Sequence, residues 1–140
     1  MSDAMKRFFQ ERDALASGLG AVLTEVSPGR AVATMELTPD HHNCYGVVHG
    51  GAIFSLADFV FCAASNSHGR VAVALNVTIS YLRAVTEGTL RAEAKEVSLS
   101  HRIGTYEIVV TDTEGRDVAL FLGTAYRKSD EVGWEGEDDQ

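Results

Sequence analysis

Apolar side chains recur at helical spacing in two stretches of this chain and alternate with polar ones through most of the remainder. The first stretch is residues 5 to 17, where Met5, Phe8, Phe9, Leu15 and Ala16 stand among charges. This spacing predicts an amphipathic leading helix that stops near Gly18 and Gly20. From Ala21 to Glu25 and from Arg30 to Leu37 the period becomes two, with Ser27-Pro28-Gly29 between the runs. A β-hairpin is expected there, because proline and glycine supply the dihedral angles a tight turn needs.

Residues 39 to 49, PDHHNCYGVVH, are polar and aperiodic and read as a loop. They lead through Gly50-Gly51 into a long apolar stretch ending at Ser67, in which Ile53, Leu56, Ala57, Val60, Phe61 and Ala64 define one buried helical stripe. At about 100° per residue, Asp58 falls roughly 120° from the centre of that stripe, on a flank shared with Gly51, Phe54, Cys62 and Ser65. The small members of that flank leave room for something to approach.

Strand patterns follow at Val71 to Ala84, Gly88 to Leu99, Thr105 to Thr111 and Val118 to Arg127, separated by turn-rich segments. The expected fold class is α+β: a hairpin, one long central helix, then a four-strand antiparallel meander, with the curved sheet wrapped around the helix. The expected division is a single domain over 1–128 and an acidic, disordered tail over 129–140.

Composition narrows the function classes. A chain of 140 residues, 45% hydrophobic, suits one domain and one core. A domain of this size buries only about 70% of its unfolded surface, so a deep site gains from walls supplied by a second copy. No apolar run approaches the roughly 18 residues of a membrane span, and the first ten residues lack the pattern of a secretory signal. Cys44 and Cys62 are too few for a disulfide framework, which suits a reducing, cytoplasmic setting. The net charge is −8, and the acids Asp130, Glu131, Glu135, Glu137, Asp138 and Asp139 account for all but −2 of it. A body so close to neutral offers no general attraction to nucleic acid or to an anionic membrane.

The segment His42-Asn43-Cys44-Tyr45-Gly46-Val47-Val48-His49-Gly50-Gly51, followed by Ser55-Leu56-Ala57-Asp58, resembles the hotdog-fold thioesterases, and within them the bacterial phenylacetate-pathway branch. The likeness spans residues 5 to 128. It implies hydrolysis of an acyl-CoA thioester with no cofactor or metal, and protomers paired edge to edge as dimers or tetramers with each active site between two subunits. It also implies that Asp58 is the nucleophile or general base, that the Gly50 backbone N–H is the oxyanion donor, and that Asn43 and His49 act beside them.

The chemistry is consistent with those roles. Charge develops on the carbonyl oxygen during thioester hydrolysis, and a backbone N–H at a helix N-terminus meets it with a fixed donor and the positive end of the helix dipole. A carboxylate is already ionised at neutral pH. Alternatives stand at each position. Asp58 also fits a solvated carboxylate on the polar flank of a helix, His49 a helix cap, and Asn43 an Asx-turn residue. Asp40, His41, His42 and His49 invite a metal reading, but adjacent histidines in an extended loop point in opposite directions. Cys44 as a thiol nucleophile lacks a fixed imidazole partner.

For substrate binding, Gly51 and Phe54 flank the expected cleft, while Arg83, His101 and Arg102 are the cations suited to the phosphates of coenzyme A. Each also fits an ordinary turn charge, and Phe54 and Phe59 also fit plain core packing. Two rival functions keep the same fold: a non-catalytic acyl-CoA binder, and a hydroxyacyl-thioester dehydratase pairing His49 with Asp58.

Overall fold

The computed structural model describes residues 2–134 of the chain. The leading helix is broken. It runs as α1, Ser2–Arg12, and restarts as α2, Ala14–Gly18. Asp13 between them is extended, and its carboxylate accepts from the Ala16 backbone N–H at 3.0 Å, capping the second piece. The expected continuous helix over 5–17 is therefore two, because a helix-capping side chain interrupts the apolar spacing. Met5, Phe9 and Ala16 are buried, whereas Leu15 faces solvent.

The hairpin forms as β1, Ala21–Ser27, and β2, Arg30–Glu36; a short 3₁₀ turn, Pro39–His41, follows. The central helix α3 spans Gly50–Asn66, and every member of the stripe read from periodicity is buried. Then come β3, Arg70–Tyr81; β4, Thr89–Leu99; β5, Ile103–Thr111; and β6, Asp117–Glu131. The six strands make one antiparallel sheet around α3, which is the helix-in-sheet α+β arrangement expected.

The order in the sheet is β1-β2-β4-β5-β6-β3, so the expected four-strand meander is corrected: only β4, β5 and β6 are consecutive neighbours. After β3 the chain crosses to the far side of β5, and β3 pairs with β6 alone, leaving its other edge open. Residues of the crossing are tied down individually. Leu82 N–H donates to Val118 O at 2.8 Å, and Val48 N–H to Val85 O at 2.9 Å. Local alternation specifies a strand but not its neighbour, and the neighbour depends on how the sheet closes over the helix.

Register shifts at Leu23/Glu25, Ala74/Asn76 and Glu96/Ser98 bend the sheet about α3. At Gly123 on β6 the wrap is close: a Cβ there would stand 2.7 Å from the Phe61 ring. The last strand continues to Glu131, past the expected boundary at 128, and Trp134 is buried with its ring centroid 6.1 Å from that of Phe9. The remaining acids of the expected tail, Glu135, Glu137, Asp138 and Asp139, lie outside the described residues. No helix among the described residues is long and apolar enough to cross a membrane.

Candidate active site

The N-terminus of α3 is built from the loop before it. His49 is the N-cap, and its Nδ1 accepts from the Gly51 N–H at 2.8 Å, which leaves the ring proton of the neutral imidazole on Nε2. The His49 carbonyl accepts from Ala52 and Ile53 at 2.9 and 3.3 Å. Three of the first four N–H groups of the helix are thereby satisfied. The fourth, on Gly50, has no partner among the described residues.

Gly50 lies under the phenol of Tyr81, whose hydroxyl donates to the Gly50 carbonyl at 2.9 Å. A Cβ on Gly50 would come within 3.2 Å of that ring. This residue escapes sequence reading because 31 positions separate the two, and a tyrosine ending a strand carries no local mark of its partner. A surface cleft of about 300 Å³ on this side of the helix is lined by Val48, Gly50, Ile53, Tyr81 and Arg83. On the other side a second, of about 260 Å³, is lined by His42, His49, Gly51 and Ser55. The structure thus brings Gly50 and Arg83 together on one flank, and His49 and Gly51 on the other.

Asn43 sits in the loop as an Asx turn, its Oδ1 accepting from Tyr45 N–H at 2.9 Å and Val47 N–H at 3.4 Å. Its amide nitrogen is uncommitted among the described residues. The other imidazoles hold backbone: His41 Nδ1 accepts from Thr38 N–H at 3.0 Å while Nε2 bonds the Leu19 carbonyl at 2.7 Å, and His42 Nε2 bonds the Thr86 carbonyl at 2.8 Å. No group of three or more potential metal ligands converges among the described residues.

Asp58 lies on the exposed flank of α3, half-buried, with no hydrogen-bond or ion-pair partner among the described residues. Burial, with the negative charge of Asp13 adding to it, holds its pKa above the ordinary carboxylate value of 3.8. One helical turn further on, Cys62 opens on a cleft of about 380 Å³ whose walls include Phe8, Phe9, Asp13, Phe59 and Val132. Cys62 retains exposed area, yet the atoms packed around its thiol, together with Asp13 and Asp58, push its pKa up to about 11. The thiol is therefore held mostly protonated at neutral pH. Phe59 therefore faces this largely apolar cleft, whereas Phe54 packs on Phe121 with ring centroids 5.4 Å apart.

Gly50 and Asp58 are not neighbours within one chain. Eight residues at 1.5 Å each separate them by about 12 Å along the helix, too far for both to reach one carbonyl group. His101 and Arg102 lie in the β4–β5 turn, beside Tyr126 and Arg127 and hence at the Arg70 end of the β3–β6 pair. Arg83 is at the opposite end, more than 30 Å away along β3 at about 3.3 Å per residue.

Residues 45–119 match the family model of the thioesterase superfamily. Acyl-coenzyme A thioesterase PaaI of Escherichia coli K12 is 40% identical over 118 residues, 84% of this chain and 84% of that protein. The structure of E. coli PaaI, from the phenylacetic acid degradation operon, superposes with a TM-score of 0.87 at 35% identity, over 93% of this chain and 97% of that one. Proofreading thioesterase EntH of Klebsiella pneumoniae is 31% identical over 111 residues, 76% of this chain and 81% of that protein. A Streptococcus mutans protein bound to acetyl CoA superposes with a TM-score of 0.75 at 27% identity, over 78% and 89% of the two chains. A family match across more than half of its length, and likeness to PaaI in both sequence and fold, mean that this chain belongs to the thioesterase superfamily and carries its hotdog fold.

Proposed function

We propose that this protein hydrolyses aryl- or medium-chain acyl-CoA thioesters to the free acid and coenzyme A, at sites shared by two protomers. Asp58 comes from one protomer and the Gly50 N–H from its partner. The observation that carries this reading is the unpaired Gly50 N–H, the one donor left open in the first turn of α3, held beside a cleft by Tyr81. A donor so placed meets the carbonyl oxygen as it gains charge, and such donors contribute about 3 to 4 kcal/mol to transition-state stabilisation. Asp58 supplies either its own oxygen to the acyl carbon or the base that removes a proton from water. The C–S bond then breaks, and the sulfur leaves as a thiolate or thiol, needing little acid assistance because thiols ionise near pH 8.5; on the nucleophilic route, water then opens the acyl–Asp58 anhydride to the free acid and restores the carboxylate.

The open edge of β3 supports the pairing. Val73, Leu75 and Tyr81 on this strand are 47%, 58% and 51% exposed, an unusual amount of apolar surface for an edge. Two copies joined along β3 by a two-fold axis run antiparallel, so the Tyr81 end of one meets the Arg70 end of the other. That arrangement carries the Gly50 end of each helix toward the opposite end of its partner's helix and removes the separation of about 12 Å that keeps the two groups apart in one chain. The likeness to PaaI and to an acetyl-CoA-bound fold relative supports the substrate class. His49 and Asn43 flank the donor, with His49 Nε2–H and the Asn43 amide available to the substrate.

The test is release of free thiol from a panel of phenylacetyl, hydroxyphenylacetyl, benzoyl, short-chain and long-chain acyl-CoA esters, for wild type and Asp58→Ala. Turnover by the wild type that collapses in the variant, with oligomeric state unchanged, supports the reading. Binding of esters without any turnover makes the protein an acyl-CoA binder instead.

A further inference from the structure

Tyr45 is 86% exposed, more than any other large hydrophobic side chain among the described residues. The loop that carries it is nevertheless tightly bonded. Asn43 N–H donates to Val47 O at 2.7 Å, and Gly46 N–H to Asn43 O at 3.1 Å. The Asn43 side chain accepts from the Tyr45 N–H at 2.9 Å, a bridge joins His42 to Val48, and Gly46 turns the chain at a φ of 77°. An aromatic ring held out on a rigid loop has already lost backbone freedom, so it binds a second surface at low entropic cost. Aromatic anchors of this kind dominate protein interfaces.

The cleft of about 380 Å³ beside Cys62 has the opposite character. Phe8, Phe9, Phe59, Val71, Ala72 and Val132 give it apolar walls, and it stands open to solvent. The Asn66 amide at its edge is committed to the body of the protein, bonding Ala72 by Nδ2 to the carbonyl at 3.2 Å and by Oδ1 to the N–H at 2.8 Å. An open apolar cleft one helical turn from Asp58 is the place for an acyl group, yet one chain leaves its outer side uncovered.

The loop and the cleft lie at opposite ends of β3. Tyr81 ends that strand and bonds Gly50, while Val48 N–H donates to Val85 O at 2.9 Å and His42 Nε2 bonds Thr86 O at 2.8 Å, so the Tyr45 loop sits at the Tyr81 end. Val71 and Ala72 start the strand and line the cleft, which therefore sits at the Arg70 end. Two copies paired antiparallel along the open β3 edge place the Tyr81 end of each against the Arg70 end of the other. The exposed ring of one copy is thereby brought to the uncovered side of the other's cleft.

We infer that Tyr45 of each protomer enters the apolar cleft of its partner, forms the outer wall of the acyl site and selects aryl over small acyl groups. The inference rests on the paired thioesterase reading above and adds to it a specificity residue supplied in trans. With Phe8, Phe9 and Phe59 already in the cleft, a fourth ring makes an aromatic enclosure, in which an aryl group finds edge and face contacts that an acetyl group cannot make.

Two experiments on the full-length protein test it. In the first, p-benzoylphenylalanine replaces Tyr45 and the protein is irradiated with no ester present. The expected result is a covalent dimer whose cross-links map by mass spectrometry to α1 and to the α3 segment from Phe59 to Asn66. Absence of a covalent dimer, or cross-links confined to other segments, overturns the placement. In the second, kcat/KM for phenylacetyl-CoA is divided by that for acetyl-CoA. This ratio is expected to fall about tenfold in Tyr45→Ala and to stay near the wild-type value in Tyr45→Phe. An unchanged ratio in Tyr45→Ala, or an equal fall in both variants, overturns the role of the ring. Because the side chain is 86% exposed within its own chain, both variants should keep the wild-type circular dichroism spectrum. A wild type inactive on every ester counts against the thioesterase reading, and the cross-links alone then decide where Tyr45 sits.

Discussion

The Tyr81 hydroxyl donates to the Gly50 carbonyl at 2.9 Å, and the same ring stands 3.2 Å from where a Cβ on Gly50 would be. One side chain therefore fixes the peptide that begins α3 and leaves little space for a larger residue there. Tyr81→Phe removes one half-exposed hydrogen bond, and a loss of stability of about 1 kcal/mol or less is expected. Activity should fall further than stability, because the orientation of the Gly50 N–H relaxes. Thermal melting and kcat, measured on the same preparation, separate the two effects.

Sharing of the site between protomers predicts complementation. Asp58→Ala and Gly50→Val homodimers are each expected to be inactive. Mixed at equal amounts after dissociation, half the dimers are heterodimers, and each has one site with both groups intact, so about a quarter of wild-type activity returns. A site contained in one chain gives no recovery at all.

The environment of Asp58 makes activity and stability depend on pH in opposite senses. The carboxylate must be ionised to act, so kcat/KM should rise with pH through a midpoint above 3.8 and then level off. Its folded-state pKa is raised, so the folded chain holds the proton more tightly than the unfolded chain. The ionised group therefore costs stability, and the cost grows as pH rises from 3.8 through the folded-state value. Asp58→Asn should melt at or above the wild-type temperature at pH 7, with the difference disappearing below pH 4. Asp13→Asn keeps a good helix cap and removes the neighbouring charge, so it should move the acid limb of the rate profile to lower pH. An acid limb that stays in place would show that Asp13 does not act on Asp58 through its charge.

The two cysteines should react unequally. With its pKa near 11, Cys62 is about one part in a thousand thiolate at pH 8, so alkylation of the folded protein should leave it largely unmodified. Exposed Cys44 should account for the fast phase. Peptide mapping after brief labelling identifies which thiol has reacted.

Gly123→Ala tests the wrap of the sheet around the helix. Its Cβ would press on the Phe61 ring at 2.7 Å, and Phe61 is itself packed against Phe121 and Tyr106. Overpacking of this kind costs about 1 to 3 kcal/mol, measurable as a shift of the urea midpoint.

Much of the architecture follows from local pattern. The buried stripe from Ile53 to Ala64 was legible because a helix turns its side chains by a constant angle, so spacing alone says which face is covered. The hairpin turn at Pro28-Gly29 was legible for the same local reason, as dihedral preferences belong to single residues. The Asn43 to Gly51 segment and Asp58 pointed to their family by residue identity. The break at Asp13 was missed because an acid in the middle of an amphipathic run reads as its polar face until its side chain is seen capping the next turn.

Tertiary structure decided the relationships between elements. That β3 pairs with β6 and lies at an open edge, that Tyr81 covers Gly50, that the charge of Asp13 acts on Asp58, and that Arg70 bonds the Arg127 carbonyl all involve residues distant along the chain. Periodicity specifies a buried face without naming what covers it. The partner is chosen by the closure of the whole sheet over one helix, a condition that no short stretch of sequence contains.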